Sequence, residues 1–394
     1  GLDSNAERVC LAMTSKLVHR GPDDAGVWVN REHGIAVGHR RLSIQDLSSG
    51  GHQPMESTSG RYIIVFNGEI YNFLHLKTEL ASLGYEFRGH SDTEVLLAAV
   101  EAWGLADALT RFTGMFAIAL WDKKQRVLSL ARDRIGEKPL YYGWQGGSLL
   151  FGSELKALRV HPDWQNKINR NALALFMRHN YIPAPYSIYQ DIHKLTPGTL
   201  LHIPHTIQPG VLPAPVSYWN MKDVAEYGTR NTVDLTDEEA IDTLDTLLRE
   251  SICNQMISDV PLWAFLSGGY DSSAVVALMQ AESTKQINTF SRGFHEKVYN
   301  EADHAKRVAT HLGTEHTELY VTAEQAMDVI PRLPYLYDEP FSDSSQIPTF
   351  LVSEMTRQFV TVSLSGDGGD ELFAGYDRYS FTNSVWKKIG RIPY

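Results

Sequence analysis

The sequence predicts two domains of different class. The first half is α+β on antiparallel sheets, and the second is α/β on a parallel sheet. Three observations carry this. The chain has 394 residues, more than one ordinary hydrophobic core supports. Its first part reads as short strands and hairpins with few helices. Its second part alternates strands and helices, the rhythm of βαβ units. The division is set at 1–216 and 217–394. It lies in a proline-bearing stretch, 202–232, whose lack of apolar periodicity reads as a linker.

The elements follow in order. Residues 36–44 form a short extended run. Residues 61–66 form a strand running into the pair Asn67-Gly68, a tight-hairpin signal between apolar runs. Ser91-Asp-Thr-Glu94 is a capping box ahead of the apolar stretch 95–103, and Gly104 closes that helix. Strands 115–122 and 126–132 pair about the polar turn 122–125, and 140–144 pairs with 148–151. In the second half, Thr236-Asp-Glu-Glu239 is another capping box. It precedes a helix with Leu244, Leu247, Leu248 and Ile252 on one face. Strands at 263–266, 287–290, 315–321 and 360–364 then alternate with helices at 272–280, 300–312, 324–330 and 347–357. Ligands of such a sheet bind beyond the carboxyl ends of its strands.

Composition narrows the function classes. With 43% hydrophobic and 21% charged residues, the chain is globular rather than disordered. A net charge of -11, spread without an acidic tail or basic block, disfavours a nucleic-acid binder. The two cysteines, Cys10 and Cys253, lack metal spacing and cannot make a disulfide framework, so a reducing compartment is expected. No apolar run approaches the roughly 20 residues of a membrane span, and no secretory leader is visible. These readings point to the cytoplasm.

Two glycine-rich loops carry the chemistry. Ser267-Gly-Gly-Tyr-Asp-Ser-Ser273 lies between a strand and a helix. Glycine lets the backbone approach an anion closely, and the helix start offers free N–H groups and a positive dipole end. Ser267, Ser272 and Ser273 add hydroxyls. Asp271 would repel phosphate unless it holds Mg²⁺. The bland alternative is a serine-capped turn. Ser365-Gly-Asp-Gly-Gly-Asp-Glu371 follows a second strand, with more glycines and acids than a turn needs. Both loops end strands of one sheet and so can face one cleft.

SGGYDSS resembles the pyrophosphate-binding loop of the AMP-forming ATP pyrophosphatases, which attack the α-phosphate. No γ-phosphoryl group is transferred, so a P-loop lysine is not needed. Together with SGDGGDELFAGY and Tyr337-DEPFSDSSQIPTF-Phe350, the second half resembles the synthetase domain of glutamine-hydrolysing asparagine synthetases. The first half resembles their Ntn-hydrolase-like glutaminase domain, antiparallel sheets sandwiched by helices. Its matching segments are His19-RGPDDA-Gly26, Gly38-HRRLS-Ile44, Phe66-NGEIY-Asn72 and Ser91-DT-Glu94.

The resemblance implies the roles. Arg41, with Leu42, Ser43 and Ile44 around it, takes the glutamine carboxylate, and Glu69 and Asp92 take its ammonium. The Asn67 side chain and the Gly68 N–H form an oxyanion hole. Leu266, Ser267, Gly268, Gly269, Asp271, Ser272, Ser273, Arg292, Ser365 and Gly366 line the ATP site. Asp271 and Asp370 hold Mg²⁺. Asp367, where many relatives carry Glu, assists formation of the acyl-adenylate. Taken singly, Arg41 reads as a strand-end charge, Asn67-Gly68 as a turn and Asp92 as a first-turn acid.

The implied reaction hydrolyses glutamine and passes ammonia through the interior. The ammonia displaces AMP from β-aspartyl-AMP to give asparagine. The family's N-terminal cysteine nucleophile and a lysine in a later helical region have no counterpart here, so the chain is expected to be incomplete at both ends. Cys10, beside Val9, Met13 and Leu17, reads as a buried packing residue. Three alternatives stay open: another acceptor such as a sugar uronic acid or a cyclising peptide or β-lactam precursor, a non-enzymatic regulator, and a tRNA-modifying relative. A homodimer is also open.

Overall fold

Apolar residues fill 62–66, and the strand they begin does not turn at Asn67-Gly68. It runs from Tyr62 to Ile70. The expected hairpin is absent because a single partner, Gly114–Asp122, pairs along the whole length, from Tyr62 opposite Asp122 to Ile70 opposite Gly114. Glycine at 68 serves close approach instead of turning. A Cβ there would overlap the Met115 carbonyl oxygen.

The structure, a computed structural model, describes residues 5–294 and 302–390. The chain divides into two units. One comprises Gly1–Asp234 together with Arg332–Asp343, and the other Leu235–Pro331 together with Ser344–Tyr394. The sequence boundary at 216 and 217 falls inside a short strand of the first unit.

The first unit holds strands β1 (Asp24–Asn30), β2 (Ile35–Arg41), β3 (Met55–Glu56), β4 (Tyr62–Ile70), β5 (Gly114–Asp122) and β6 (Val127–Arg132). It continues with β7 (Tyr141–Gln145), β8 (Ser148–Gly152), β9 (Ile192–Lys194), β10 (Thr199–Pro204) and β11 (Val216–Ser217). Three sheets form: β1-β2, β11-β10-β6-β5-β4-β3 and β8-β7-β9. Every pairing is antiparallel. Side chains alternate along β4. Ile63 and Val65 join a core with Ala117, Ala119 and Trp121 of β5, Leu140, Tyr142 and Leu195. Asn67 and Glu69 continue the same face, so the apolar row turns polar at one end.

Two expectations change here. The stretch 202–232 is not an unstructured linker. It carries part of β10, β11 and the helix Met221–Arg230. Leu201 and Ile203 alternate into the core while exposed His202 lies between them, a period-2 pattern that the nearby prolines obscure. The box at Ser91 is half formed. Ser91 Oγ accepts from Glu94 N at 3.4 Å, but the Glu94 carboxylate accepts from Arg88 N and Gly89 N at 2.7 and 2.8 Å. It steadies the preceding loop rather than the cap.

The second unit holds β12 (Leu262–Phe265), β13 (Asn288–Phe294), β14 (Glu315–Val321) and β15 (Val362–Leu364), ordered β14-β13-β12-β15 and all parallel. The helices Tyr270–Glu282, Ala302–Leu312, Ala323–Val329 and Gln346–Thr356 stand where the alternation predicts them. Residues 300 and 301 of the expected second helix lie outside the described residues. The box at Thr236 closes fully and opens Asp237–Gln255. Of the face expected to be apolar and buried, Ile252 is buried, whereas Leu244 and Leu247 are exposed. Among the described residues no helix is long and apolar enough to cross a membrane.

The close approach of β4 and β5 gives a paired test. A Cβ at Gly114 would overlap the Glu69 carbonyl oxygen, whereas Gly147 faces open space. Gly114→Ala should lower stability by about 1–3 kcal/mol. Gly147→Ala should stay within about 0.5 kcal/mol. Chemical denaturation reads both, and equal effects would contradict the register.

Candidate active sites

A cavity of about 1010 Å³ lies in the first unit, and Arg41, Leu42, Ile44, Asn67, Gly68, Glu69 and Asp92 are among its lining residues. Ser43, also assigned to the site, stands in the same loop, where its N–H donates to Asp23 Oδ2 at 2.8 Å.

The strand β4 builds one wall through backbone alternation. Phe116 binds Asp133 through both of its backbone groups, donating its N–H to the side-chain Oδ2 at 3.1 Å and accepting at its oxygen from Asp133 N at 2.9 Å. It therefore faces away from β4. Gly68, opposite Phe116, likewise turns its N–H away from β5. The same edge is satisfied elsewhere. Tyr62 N donates to Ser57 Oγ at 3.2 Å, Phe66 N to Gln53 Oε1 at 2.7 Å and Ile70 N to Asp92 Oδ2 at 2.9 Å. At Gly68 no protein acceptor is found among the described residues. A free N–H at a cavity wall, beside the Asn67 amide, is the donor set an oxyanion needs. The Asn67 Nδ2 lies 3.5 Å from Ser153 Oγ.

Two acids stand at this wall, and one of them, Glu69, has an unpartnered oxygen. Asp92 is buried, and burial pushes its carboxyl up to about 6 against the hydrogen bonds from Ile70 and Thr93. Glu69 is raised well above its usual range by burial and then by the Asp92 charge. Its Oε2 is buried with no hydrogen-bond partner. Such a pair gains most from a cation entering the cavity.

Arg41 is buried, and its guanidinium donates to three carbonyl oxygens: Ser48 at 3.1 Å, Gln45 at 3.0 Å and Asp46 at 2.5 Å. Gly51 presses against it, leaving no room for a Cβ. The 45–51 loop thus holds Arg41 at the wall.

Sequence reasoning missed several wall residues. Gln53 braces Phe66. His39 lines the cavity with its Nε2 3.0 Å from the Phe66 oxygen, and burial lowers its pKa to about 4. It is therefore neutral and donates from Nε2. Lys138 and Ser153 also line the cavity. His39 stands inside the segment Gly38–Ile44 without a role of its own there, and Gln53, Lys138 and Ser153 belong to no local pattern. Cys10 behaves as expected of a packing residue. Its sulfur abuts Gly38, and burial pushes the thiol up to about 11.

In the second unit the loop after β12 forms a closed hydroxyl turn. Leu266 is buried and its N–H donates to the Phe290 oxygen at 2.7 Å. Ser267 Oγ lies 2.9 Å from Ser272 Oγ. Gly269 N donates to Ser267 Oγ at 3.3 Å and Ser273 N to the Gly269 oxygen at 3.1 Å. Gly268 has φ +84°, and a Cβ would meet Ala305 N at 2.8 Å. Position 268 therefore requires glycine on both counts. Tyr270 is 96% exposed and leaves the loop mouth open.

The loop after β15 meets this turn. A Cβ on Gly366 would stand 2.8 Å from Ser272 N, and one on Gly369 would overlap the Asp271 carboxylate. The two loops are in contact, and Asp271 is wedged between them. Asp370 follows directly, its Oδ1 against Gly375. Ser365 Oγ donates to Asp367 Oδ2 at 2.9 Å. Arg292 sits on β13, opposite Leu319 of β14. Among the described residues no three His, Cys, Asp or Glu side chains gather as a metal cluster.

The sequence matches the model of the Glutamine amidotransferase domain over residues 1–211 and that of Asparagine synthase over 243–393. A Methanocaldococcus jannaschii protein provisionally named a glutamine-hydrolysing asparagine synthetase is 38% identical over 386 residues, 92% of this chain and 72% of its own. The chain belongs to the glutamine-hydrolysing asparagine synthetase family. Another relative, a glutamine-hydrolysing asparagine synthetase 1 of Bacillus subtilis, is 36% identical over 99% of this chain, which spans only 59% of that protein. A Gibberella zeae protein named amidase chry2 is 28% identical over 96% of this chain. A solved structure of the allosteric regulatory enzyme of purine biosynthesis aligns over 81% of the chain with 15% identity and a TM-score of 0.42, a likeness too loose to build on. The family thus accounts for both units, with the first cavity in its amidotransferase part and the glycine loops in its synthase part.

The orphaned carboxylate has a measurable signature. A carboxyl whose folded pKa lies above its unfolded value of about 4.3 contributes stability at low pH and loses it as pH rises through the folded value. Glu69→Gln should therefore raise the melting temperature at pH 8, with the gain fading toward pH 4. A gain equal at both values would contradict the assignment.

Proposed function

We propose that this protein makes asparagine from aspartate, ATP and glutamine, releasing AMP and pyrophosphate. The first unit carries the glutaminase domain and the second the ATP-pyrophosphatase domain. In the first, Arg41 pairs with the glutamine carboxylate, while Glu69 and Asp92 receive its ammonium. A cation between them restores their ionised forms and satisfies the open Glu69 oxygen. The Gly68 N–H and the Asn67 amide stabilise the oxyanion formed at the carboxamide. Leu42, Ser43 and Ile44 shape the rim.

In the second, the loop from Leu266 to Ser273, with Arg292, Ser365 and Gly366, cradles ATP. The helix start at Tyr270 and the hydroxyls of Ser267, Ser272 and Ser273 face the β- and γ-phosphates. The aspartate β-carboxylate attacks the α-phosphate and pyrophosphate leaves. Ammonia then attacks the acyl carbon, and AMP departs. Asp367, held by Ser365, assists at the reacting acyl group.

Asp271 and Asp370 would hold Mg²⁺, which neutralises phosphate charge. One or two carboxylates plus phosphate oxygens suit that ion, so no third protein ligand is required. A carboxylate wedged into an anion cradle fits this role and no other simple one. That wedge is the single observation which, with the family, supports the reading. Two free cysteines agree with a cytoplasmic setting.

Protein from the complete reading frame, given MgATP, aspartate and ammonium, should release pyrophosphate and form asparagine in equal amounts. Asn67→Ala should cut glutamine-dependent synthesis by about 10²-fold or more and spare the ammonium-dependent reaction. Pyrophosphate release with a different carboxylate but not aspartate would transfer the chemistry to another acceptor. No release with any carboxylate would make the protein a non-enzymatic regulator.

A further inference from the structure

The segment Arg332–Asp343 belongs to the first unit although the chain on both sides of it belongs to the second. It carries two acids whose side chains are 10% and 9% exposed, Asp338 and Glu339. Burying two carboxylates is costly unless each is paired and hydrogen-bonded. Both are. Asp338 Oδ2 accepts from Leu155 N at 2.5 Å, and Oδ1 lies 3.2 Å from Lys156 Nζ. Glu339 accepts from Ile188 N at 2.7 Å, pairs with Lys194 and takes a hydrogen bond from the Tyr141 hydroxyl at 3.4 Å. Lys156 Nζ donates further to the Leu336 oxygen at 3.3 Å.

Lys156 also reaches the other way. Its Nζ stands 2.6 Å from Glu154 Oε2. Glu154 is itself nearly buried and pairs with Arg20 and, at 3.0 Å, with His19 Nε2. Burial opposes its ionisation, but Lys156, Arg20 and His19 outweigh that and hold the carboxyl below its usual range. Arg20 lines the cavity assigned to glutamine, and Ser153, next to Glu154, lies 3.5 Å from the Asn67 amide. An unbroken chain of charge pairs therefore runs Arg20–Glu154–Lys156–Asp338.

We propose that Lys156 and Glu154 are positioning residues that couple the wall of the glutamine cavity to the seating of 332–343. The inference rests on the reading of that cavity as the glutamine site. Burial makes the Glu154–Lys156–Asp338 links strong and expensive to break, whereas Arg20, 35% exposed, closes the chain as a more screened link. The chain therefore favours a fully seated segment together with a positioned Arg20. Coupling between sites is reciprocal. Glutamine entering the cavity tightens 332–343, and loosening the segment weakens glutamine binding. Neither residue touches the substrate, so their effect falls on affinity.

The test uses the full-length protein, glutamine titration by calorimetry and amide hydrogen exchange across 336–343. In the unsubstituted protein, glutamine should slow exchange in that segment. Lys156→Met should speed it and weaken glutamine binding about five-fold or more. Lys156→Arg, which retains the charge and both contacts, should restore both values. Far-UV circular dichroism serves as the folding control and should be unchanged in both variants. Faster exchange in Lys156→Met with undiminished glutamine affinity would overturn the coupling while leaving the glutamine site standing. An unsubstituted protein that binds no glutamine would remove the cavity reading and this inference together.

Discussion

Asp271 is wedged between two loops. The backbone of Gly366 and Gly369 lies so close to it that neither position can carry a Cβ without collision. This contact requires two parallel strands, β12 and β15, to be hydrogen-bonded neighbours and to release their chains at the same end of the sheet. It also requires glycine where the loops meet, since any side chain would drive them apart. A carboxylate held there, in the first turn of a helix, is unfavourable for phosphate alone. It becomes favourable once a divalent cation bridges the two.

The first unit applies the same logic to a different charge. Asp92 is buried and Glu69 partly so, and burial disfavours the ionised form of each more than the hydrogen bonds to Asp92 offset. Strand alternation fixes Glu69 on the face that Ile63 and Val65 make apolar, and the start of the helix at Asp92 brings the second acid to the same strand. Native structures keep such groups where a ligand completes them. Arg41, surrounded by carbonyl oxygens, supplies the opposite charge from the facing strand. Opposite charges thus stand at separate places on the wall of one cavity.

Much of this was legible in the sequence, for identifiable reasons. Strong alternation showed the parallel strands of the second unit, and a box with both partners free to close showed the helix at Thr236. The glycine loops were legible because their chemistry is local. What escaped was non-local. Asn67-Gly68 carries a hairpin signal, yet nine-residue pairing with β5 overrides it. Glu94 has the spacing of a cap residue, yet two unsatisfied loop N–H groups claim its carboxylate. Gln53 and Ser153 have no motif, and only folding brings them to the wall. The return of 332–343 to the first unit depends on Asp338 and Glu339 finding Lys156 and Lys194, pairs far apart in the chain.

The central claim is that Asp271 and Asp370 act on one cation with the nucleotide. Calorimetric binding of a non-hydrolysable ATP analogue, with and without Mg²⁺, tests it directly in Asp271→Asn, Asp370→Asn and the double variant. Sharing one ion predicts that Mg²⁺ tightens binding to the unsubstituted protein, that either single change removes most of that gain, and that the double change adds little more. Independent, additive losses would place the two carboxylates on separate tasks and contradict the account.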